Sequence, residues 1–102
     1  MKLYIDARDR KEIAISIWEK DEVLISKKAN SQINSDTALI LLEKALSDLN
    51  LNIDKVTEIE VERGPGSYTG TRVGVAIANS LAFALQIPIN GKNVSGLETP
   101  KY

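Results

Sequence analysis

The chain has 102 residues, 43% of them hydrophobic and 26% charged, which is enough for one compact domain with a single core and too few for two ordinary ones. Thirteen basic residues against fourteen acidic ones leave a formal net charge of −1, so the composition carries no global attraction to nucleic acid or to an anionic membrane. Cysteine and histidine are both absent, which excludes disulfides, thiolate and Ser-His chemistry, and every zinc site that needs imidazole.

The opening MKLYIDARDRK has no apolar stretch of signal-peptide length, and no run in the chain approaches the ~20 apolar residues of a membrane span, so a cytoplasmic protein without a membrane partner is expected. No repeat or low-complexity stretch divides residues 1–102, which are read as a single domain. Lys2 to Asp6 (KLYID) alternates as a short strand. Ile13 to Glu19 (IAISIWE) and Glu22 to Lys27 (EVLISK) alternate more strongly and are rich in β-branched residues. A three-residue loop, Glu19-Lys20-Asp21, would pair Ile17 with Val23 and Ile15 with Ile25 and keep the apolar residues on one face. Asn34-Ser35-Asp36 supplies a helix N-cap, and Asp36 to Asn50 follows at helical spacing with Ala38, Leu42, Ala45, Leu46 and Leu49 on one side. Thr57 to Glu62 (TEIEVE) has a clean period of two, with Ile59 and Val61 on one face and Glu58, Glu60 and Glu62 on the other. A second helix spans Thr71 to Gln86, and Ile87 to Asn90 reads as a fifth short strand.

This β-β-β-α-β-α-β order predicts an α/β two-layer sandwich: a mixed five-stranded sheet in the order 3-2-1-4-5, the arrangement of ribonuclease-H-like and actin-like domains. Right-handed crossovers running the same way across the sheet put both helices on one face. Leu3, Ile5, Ile13, Ile15, Ile17, Val23, Ile25, Ile59 and Val61 should then face the helices. The open face should be mostly polar, with a Tyr4, Trp18 and Leu24 patch that is either ordinary exposed apolar surface or a contact site. On the second helix Val73, Gly74, Ile77, Ala78, Leu81, Ala84 and Leu85 form the expected core face. Val75, Ala76, Ala82 and Phe83 then point away from it, beside Arg72 and Asn79. A helix apolar nearly all round is buried on both sides, here either by the first helix, which has its own outlier Ile40, or by a partner.

Between the fourth strand and the second helix lies RGPGSYTGTRVG, Arg63 to Gly74. It lacks the lysine of a Walker loop, and its Gly64, Gly66 and Gly70 do not match the dinucleotide spacing. A strand, a glycine turn and a helix N-terminus nevertheless present backbone amides that favour an anion. A two-metal nuclease of this topology would draw on Asp6, Glu43 and Glu62, but Glu43 sits at the edge of its helix's core face, Glu62 belongs to an outward alternation, and a fourth ligand is missing.

The run from Arg63 to Pro88, RGPGSYTGTRVGVAIANSLAFALQIP, closely resembles the signature of the TsaB family, also called YeaZ. The first strand ending in Asp6, the EVL of the second hairpin strand, and Val94-Ser95-Gly96-Leu97-Glu98 support it. The matching motif residues are Arg63, Gly64, Pro65, Gly66, Ser67, Tyr68, Thr69, Gly70, Arg72 and Gly74. The resemblance covers the N-terminal subdomain of the usual family protein and lacks the second. It implies an actin-like fold and a non-catalytic scaffold or activator role in the synthesis of threonylcarbamoyladenosine, at adenosine 37 of transfer RNA. It further implies pairing through the N-terminal helices with a TsaD-like catalytic paralogue, a TsaE-like ATPase joining the assembly, transfer RNA reached only indirectly, and homodimers through the same helices. Ile40, Val75, Ala76, Asn79, Ala82 and Phe83 are where that contact would lie. Neither a metal nor a catalytic residue is expected, and ATP or ADP would bind only at a partner interface. The alternative is a stand-alone nucleotide- or phosphate-binding domain, or a homodimer, using the Gly64 to Gly70 turn.

Two departures stand out. Where the family commonly has Asp-Thr-Ser after the first strand this chain has Asp6-Ala7-Arg8, and where it commonly has His-Ser-Glu at the first helix it has Asn34-Ser35-Asp36. The first loses hydroxyls that actin-like proteins point at nucleotide phosphates, so hydrolysis by this chain is not expected. The glutamates of the open face favour a naturally short chain, since a missing half should have covered apolar residues there.

Overall fold

The computed structural model describes residues 1–9, 11–30, 35–65 and 68–91; of residues 35, 68, 69 and 70 it describes the backbone. The elements in order are β1 (Lys2–Asp6), β2 (Glu12–Glu19), β3 (Glu22–Asn30), α1 (Ser35–Asp48), a 3₁₀ turn (Ile53–Lys55), β4 (Glu58–Val61) and α2 (Tyr68–Leu85). The sheet order is β3-β2-β1-β4, with β1 antiparallel to β2 and parallel to β4. Register follows the period-two pattern: Leu3 lies between Ile17 and Ile59, and Ile5 between Ile15 and Val61. All six are buried, in one core with Ala38, Leu42, Ala45 and Leu46 of α1 and Ile77, Ala78 and Leu81 of α2. Both helices pack on that side of the sheet and touch each other.

The expected fifth strand does not form as a strand. Only Ile89 bridges to Ile59, in parallel, so the ladder is four-stranded. The physical reason is local. Ile59 N–H donates to Pro88 and Asn90 N–H donates to Ile59, which exhausts the backbone pairing. Asn90 then has φ +48, which turns the chain away after two bonds. Its side chain continues the pairing instead: Val61 N–H donates to Asn90 Oδ1 at 2.8 Å and Asn90 Nδ2 donates to Val61 O at 3.2 Å.

The hairpin also differs from expectation. The loop has two residues, Lys20 and Asp21, with Lys20 at φ +57, and Glu19 pairs with Glu22. Such a loop alone would put Ile17 opposite Leu24 and split the apolar face. A β-bulge absorbs the offset: Trp18 pairs with Val23, Ile17 with Ile25, and Leu24 is the extra residue. Val23 therefore leaves the core face and is 45% exposed, while Ile25 packs partly buried against the core.

Both helices end the same way. Asn50 and Gln86 adopt positive φ, and the following amides of Leu51 and Ile87 reach back to Leu46 and Ala82, closing Schellman caps without glycine. Lys27 on β3 and Asp48 at the end of α1 form an ion pair at 2.6 Å that ties the helix to the sheet edge. Among the described residues, no helix is long and apolar enough to cross a membrane.

Candidate functional site

Two surfaces carry the chemistry that the residues allow: the mouth where β1 and β4 end, and the outward side of the helix pair. At the mouth, β1 and β4 run in parallel, so Asp6 and Glu62 emerge side by side; Glu62 N–H still donates to Ile5. Arg8 folds back between them. Its Nε and Nη2 donate to the two oxygens of Asp6 at 3.0 and 2.9 Å, its backbone N–H donates to Asp6 Oδ1 at 3.1 Å, and its Nη1 lies 3.7 Å from Glu62 Oε2. Such a two-pronged pair is the strongest geometry open to a guanidinium. It holds the Asp6 carboxyl below the ordinary aspartate range, with partial burial opposing. From the other side Tyr4 donates its hydroxyl to Glu62 Oε1. Burial, and then the Glu62 hydrogen bond and charge, raise the Tyr4 pKa, so its phenol stays protonated.

The mouth is thus self-satisfied. The two carboxylates that a metal nuclease would need are bridged by an arginine, and Glu43 is exposed on α1 beside a different cleft, lined by Leu46, Ser47 and Asn50. Among the described residues no group of three or more acidic side chains could hold a metal ion. The cleft beside Arg8 is lined by both signs of charge, Asp6, Asp9 and Glu12 against Arg8 and Lys28, and so offers no excess of positive charge to an anion.

From the mouth the chain enters the glycine motif. Arg63 and Gly64 are half-buried, Gly64 has φ +111, and the Gly64-Pro65 bond is cis. Gly66 and Ser67 lie outside the described residues, and Tyr68, Thr69 and Gly70 form the first turn of α2. Arg72 is exposed; Gly74 is buried where α2 crosses the end of β1. The motif residues thus serve at least two roles, turn and close approach. The Val94 to Glu98 match falls outside the described residues.

On α2 the buried residues are Thr71, Gly74, Val75, Ile77, Ala78, Leu81 and Ala82, a sector of roughly 160° at 100° per residue. The expected contact set is therefore corrected: Val75 and Ala82 are 2% and 5% exposed, and Ala84, expected in the core, is exposed. A helix seated in the angle between a sheet and a neighbouring helix buries a wider and shifted sector than one laid on a sheet alone, and α1 occupies that second side. What remains outward is Phe83 at 71% exposure, Ala76 two turns before it, half-buried Asn79, and Ile40 on α1 at 50%.

The open face of the sheet is quieter than its aromatic residues suggest. Tyr4 and Trp18 pack edge to face at 6.4 Å, Lys2 lies 5.7 Å above the Trp18 ring, and Trp18 Nε1 donates to Ser16 Oγ at 2.8 Å. The rings meet each other and their polar tips are held by Glu62 and Ser16, which favours ordinary surface over a contact site. The Arg8 clamp and the Asn90 clasp were not anticipated from sequence. The signals were there: Asp6 and Arg8 two residues apart, and Glu62 on the same face as Tyr4.

Comparison with known proteins agrees with the architecture. Residues 25–97 match the family model described as TsaD, tRNA N6-adenosine threonylcarbamoyltransferase. The chain is 36% identical over 88 residues to the tRNA threonylcarbamoyladenosine biosynthesis protein TsaB of Bacillus subtilis, covering 85% of this chain and 38% of that one. It is 38% identical over 63 residues to a tRNA N6-adenosine threonylcarbamoyltransferase of Geotalea daltonii, 62% of this chain and 18% of the other. Among solved structures, YeaZ from Pseudomonas aeruginosa superposes with a TM-score of 0.69 at 24% identity, covering 86% of this chain and 41% of that one. A Bacteroides thetaiotaomicron protein with an actin-like ATPase fold superposes at 0.50 and 20% identity, over 90% of this chain and 33% of its own. The chain thus spans about two fifths of the length of these TsaB and YeaZ relatives. On the family match over residues 25–97 and the likeness to TsaB over most of its length, the chain belongs to the family described as TsaD, tRNA N6-adenosine threonylcarbamoyltransferase, in its TsaB/YeaZ group.

Proposed function

We infer that this chain takes part in the synthesis of threonylcarbamoyladenosine on transfer RNA as a non-catalytic scaffold or activator subunit, docking on a TsaD-like catalytic partner through the outward side of α1 and α2. The observation that carries the reading is Phe83, a large aromatic 71% exposed on a helix whose opposite side is seated in the core. Aromatic side chains held out in this way are the usual anchors of an interface. The Arg8 clamp supports the non-catalytic part, since it engages both carboxylates at the strand ends, Asp6 through two hydrogen bonds and Glu62 at 3.7 Å, where an actin-like domain would work on a nucleotide. In this reading a TsaE-like ATPase and the transfer RNA are met through the complex, ATP or ADP binds only at its interface, and the setting is the cytoplasm.

The test is to mix the chain with the TsaD-like protein of the same cell and measure mass by light scattering. A stoichiometric complex is expected with wild type and none with Phe83→Asp. No complex with wild type, or equal binding by Phe83→Asp, refutes the reading. Mass measured for the chain alone separates a homodimer on the same face.

A further inference from the structure

Of the asparagines in the chain, Asn90 alone precedes a glycine. We propose that Asn90-Gly91 is a modification site, at which non-enzymatic deamidation converts the residue that closes the β4 edge and releases the segment after α2 in one direction only.

The reaction requires Gly91 N to attack Asn90 Cγ. Gly91 is exposed, and a Cβ placed on it would meet nothing within 4 Å among the described residues, so none of them crowds that side of the backbone. Glycine's missing side chain is what lets its backbone nitrogen approach closely. The hydrogen bonds at the Asn90 amide are unequal in a way that matters. Val61 N–H donates to Oδ1 at 2.8 Å, the atom that gains negative charge as the nitrogen adds, so this donor sits where an oxyanion forms. The longer bond, 3.2 Å, holds Nδ2, the leaving nitrogen. The Gly91 N–Cγ bond forms, the Cγ–Nδ2 bond breaks, the Gly91 amide proton leaves with the departing ammonia, and a cyclic imide remains. Water then opens the ring to aspartate or isoaspartate. The net change is asparagine plus water to carboxylate plus ammonium, with no redox step.

The product cannot keep the clasp. The Nδ2 donor is gone, and a carboxylate oxygen faces the Val61 carbonyl, on a surface shared with Glu58, Glu60 and Glu62. Isoaspartate also inserts a methylene into the backbone where Asn90 N–H donates to Ile59. Ile59 and Ile89, each 1% exposed, lie directly beneath.

The experiment incubates the full chain in neutral and in mildly alkaline buffer and follows each asparagine by peptide mass spectrometry, with isoaspartate resolved by retention time. A urea-unfolded sample supplies the product standards. The expected result is conversion at Asn90 several-fold faster than at Asn50 or Asn52 in the same folded sample, and faster in alkali. Conversion no faster than at those two overturns the site. The converted fraction, separated by charge, should lose hydrogen-exchange protection at the Ile59 and Asn90 amides, as should Asn90→Asp. Unchanged protection in both overturns the release.

Discussion

Gly74 in α2 sits directly on Ala7 at the end of β1: a Cβ built on Gly74 would lie 2.7 Å from the Ala7 Cβ. No carbon pair tolerates that distance, and neither side can yield, because Ala7 is 1% exposed and Gly74 lies within a helix. The last glycine of the motif is therefore a packing residue. Gly74→Ala gains about 1 kcal/mol of helix propensity but meets an overpacking cost of about 1–3 kcal/mol. A net loss near 1 kcal/mol is expected in urea unfolding. Ala7→Gly in the same chain should recover most of it, because the clash is pairwise; a Gly74→Ala chain as stable as wild type would show that the helix can lift off β1 freely.

Thr71, one turn earlier, is fully buried, and among the described residues its hydroxyl finds no hydrogen-bond partner. A buried hydroxyl without a partner keeps its desolvation cost, about 1–3 kcal/mol, and gains nothing in return. Thr71→Val has nearly the same shape and removes that group. It should raise stability by about 1 kcal/mol, measured as a higher urea midpoint at unchanged slope. A destabilised Thr71→Val would mean that the hydroxyl is satisfied in solution.

The outward and inward sides of α2 separate by mutation. Val75→Ala empties part of the core and should cost about 1–2 kcal/mol, whereas Phe83→Ala, at 71% exposure, should change stability by less than about 0.5 kcal/mol. If the partner reading holds, the order reverses for binding: Phe83→Ala should weaken the complex at least about 30-fold, the scale of an interface anchor. Circular dichroism melts and titration calorimetry on the same pair of proteins decide it.

This contrast also marks where the sequence was legible. Period-two alternation in β1, β2 and β4 identified the core face correctly from Leu3 to Val61, because a sheet face is set by strand parity alone. Helical spacing alone places the buried arc of α2 too far to one side. Its angle depends on α1, a neighbour more than twenty residues away, and no local spacing encodes that. The hairpin failed for a similar reason: a two-residue loop and a bulge at Leu24 give the same face as a longer loop for Ile25 but not for Val23. Gly64 and Gly74 stand out in the sequence, while their separate jobs, a positive φ and a contact with Ala7, depend on how the turn and α2 meet the end of β1.

The Arg8 clamp makes stability depend on acid in a defined window. The Arg8 side-chain hydrogen bonds are the largest influence on Asp6; burial opposes them, and the Arg8 backbone bond assists. The folded pKa lies below the ordinary 3.8, so the unfolded chain takes up a proton first as the pH falls. The clamp's contribution is therefore fully present above the unfolded value and is lost as the pH drops through the folded one. As the pH falls below the ordinary aspartate value, wild type should lose stability more steeply than Asp6→Asn, which has no carboxyl to titrate there. Arg8→Ala should move the Asp6 titration, read by carboxyl carbon resonance, upward toward the ordinary value. Superimposable acid curves for wild type and Asp6→Asn would mean that Arg8 does not hold Asp6 in solution, and the clamped mouth that supports a non-catalytic role would lose its basis.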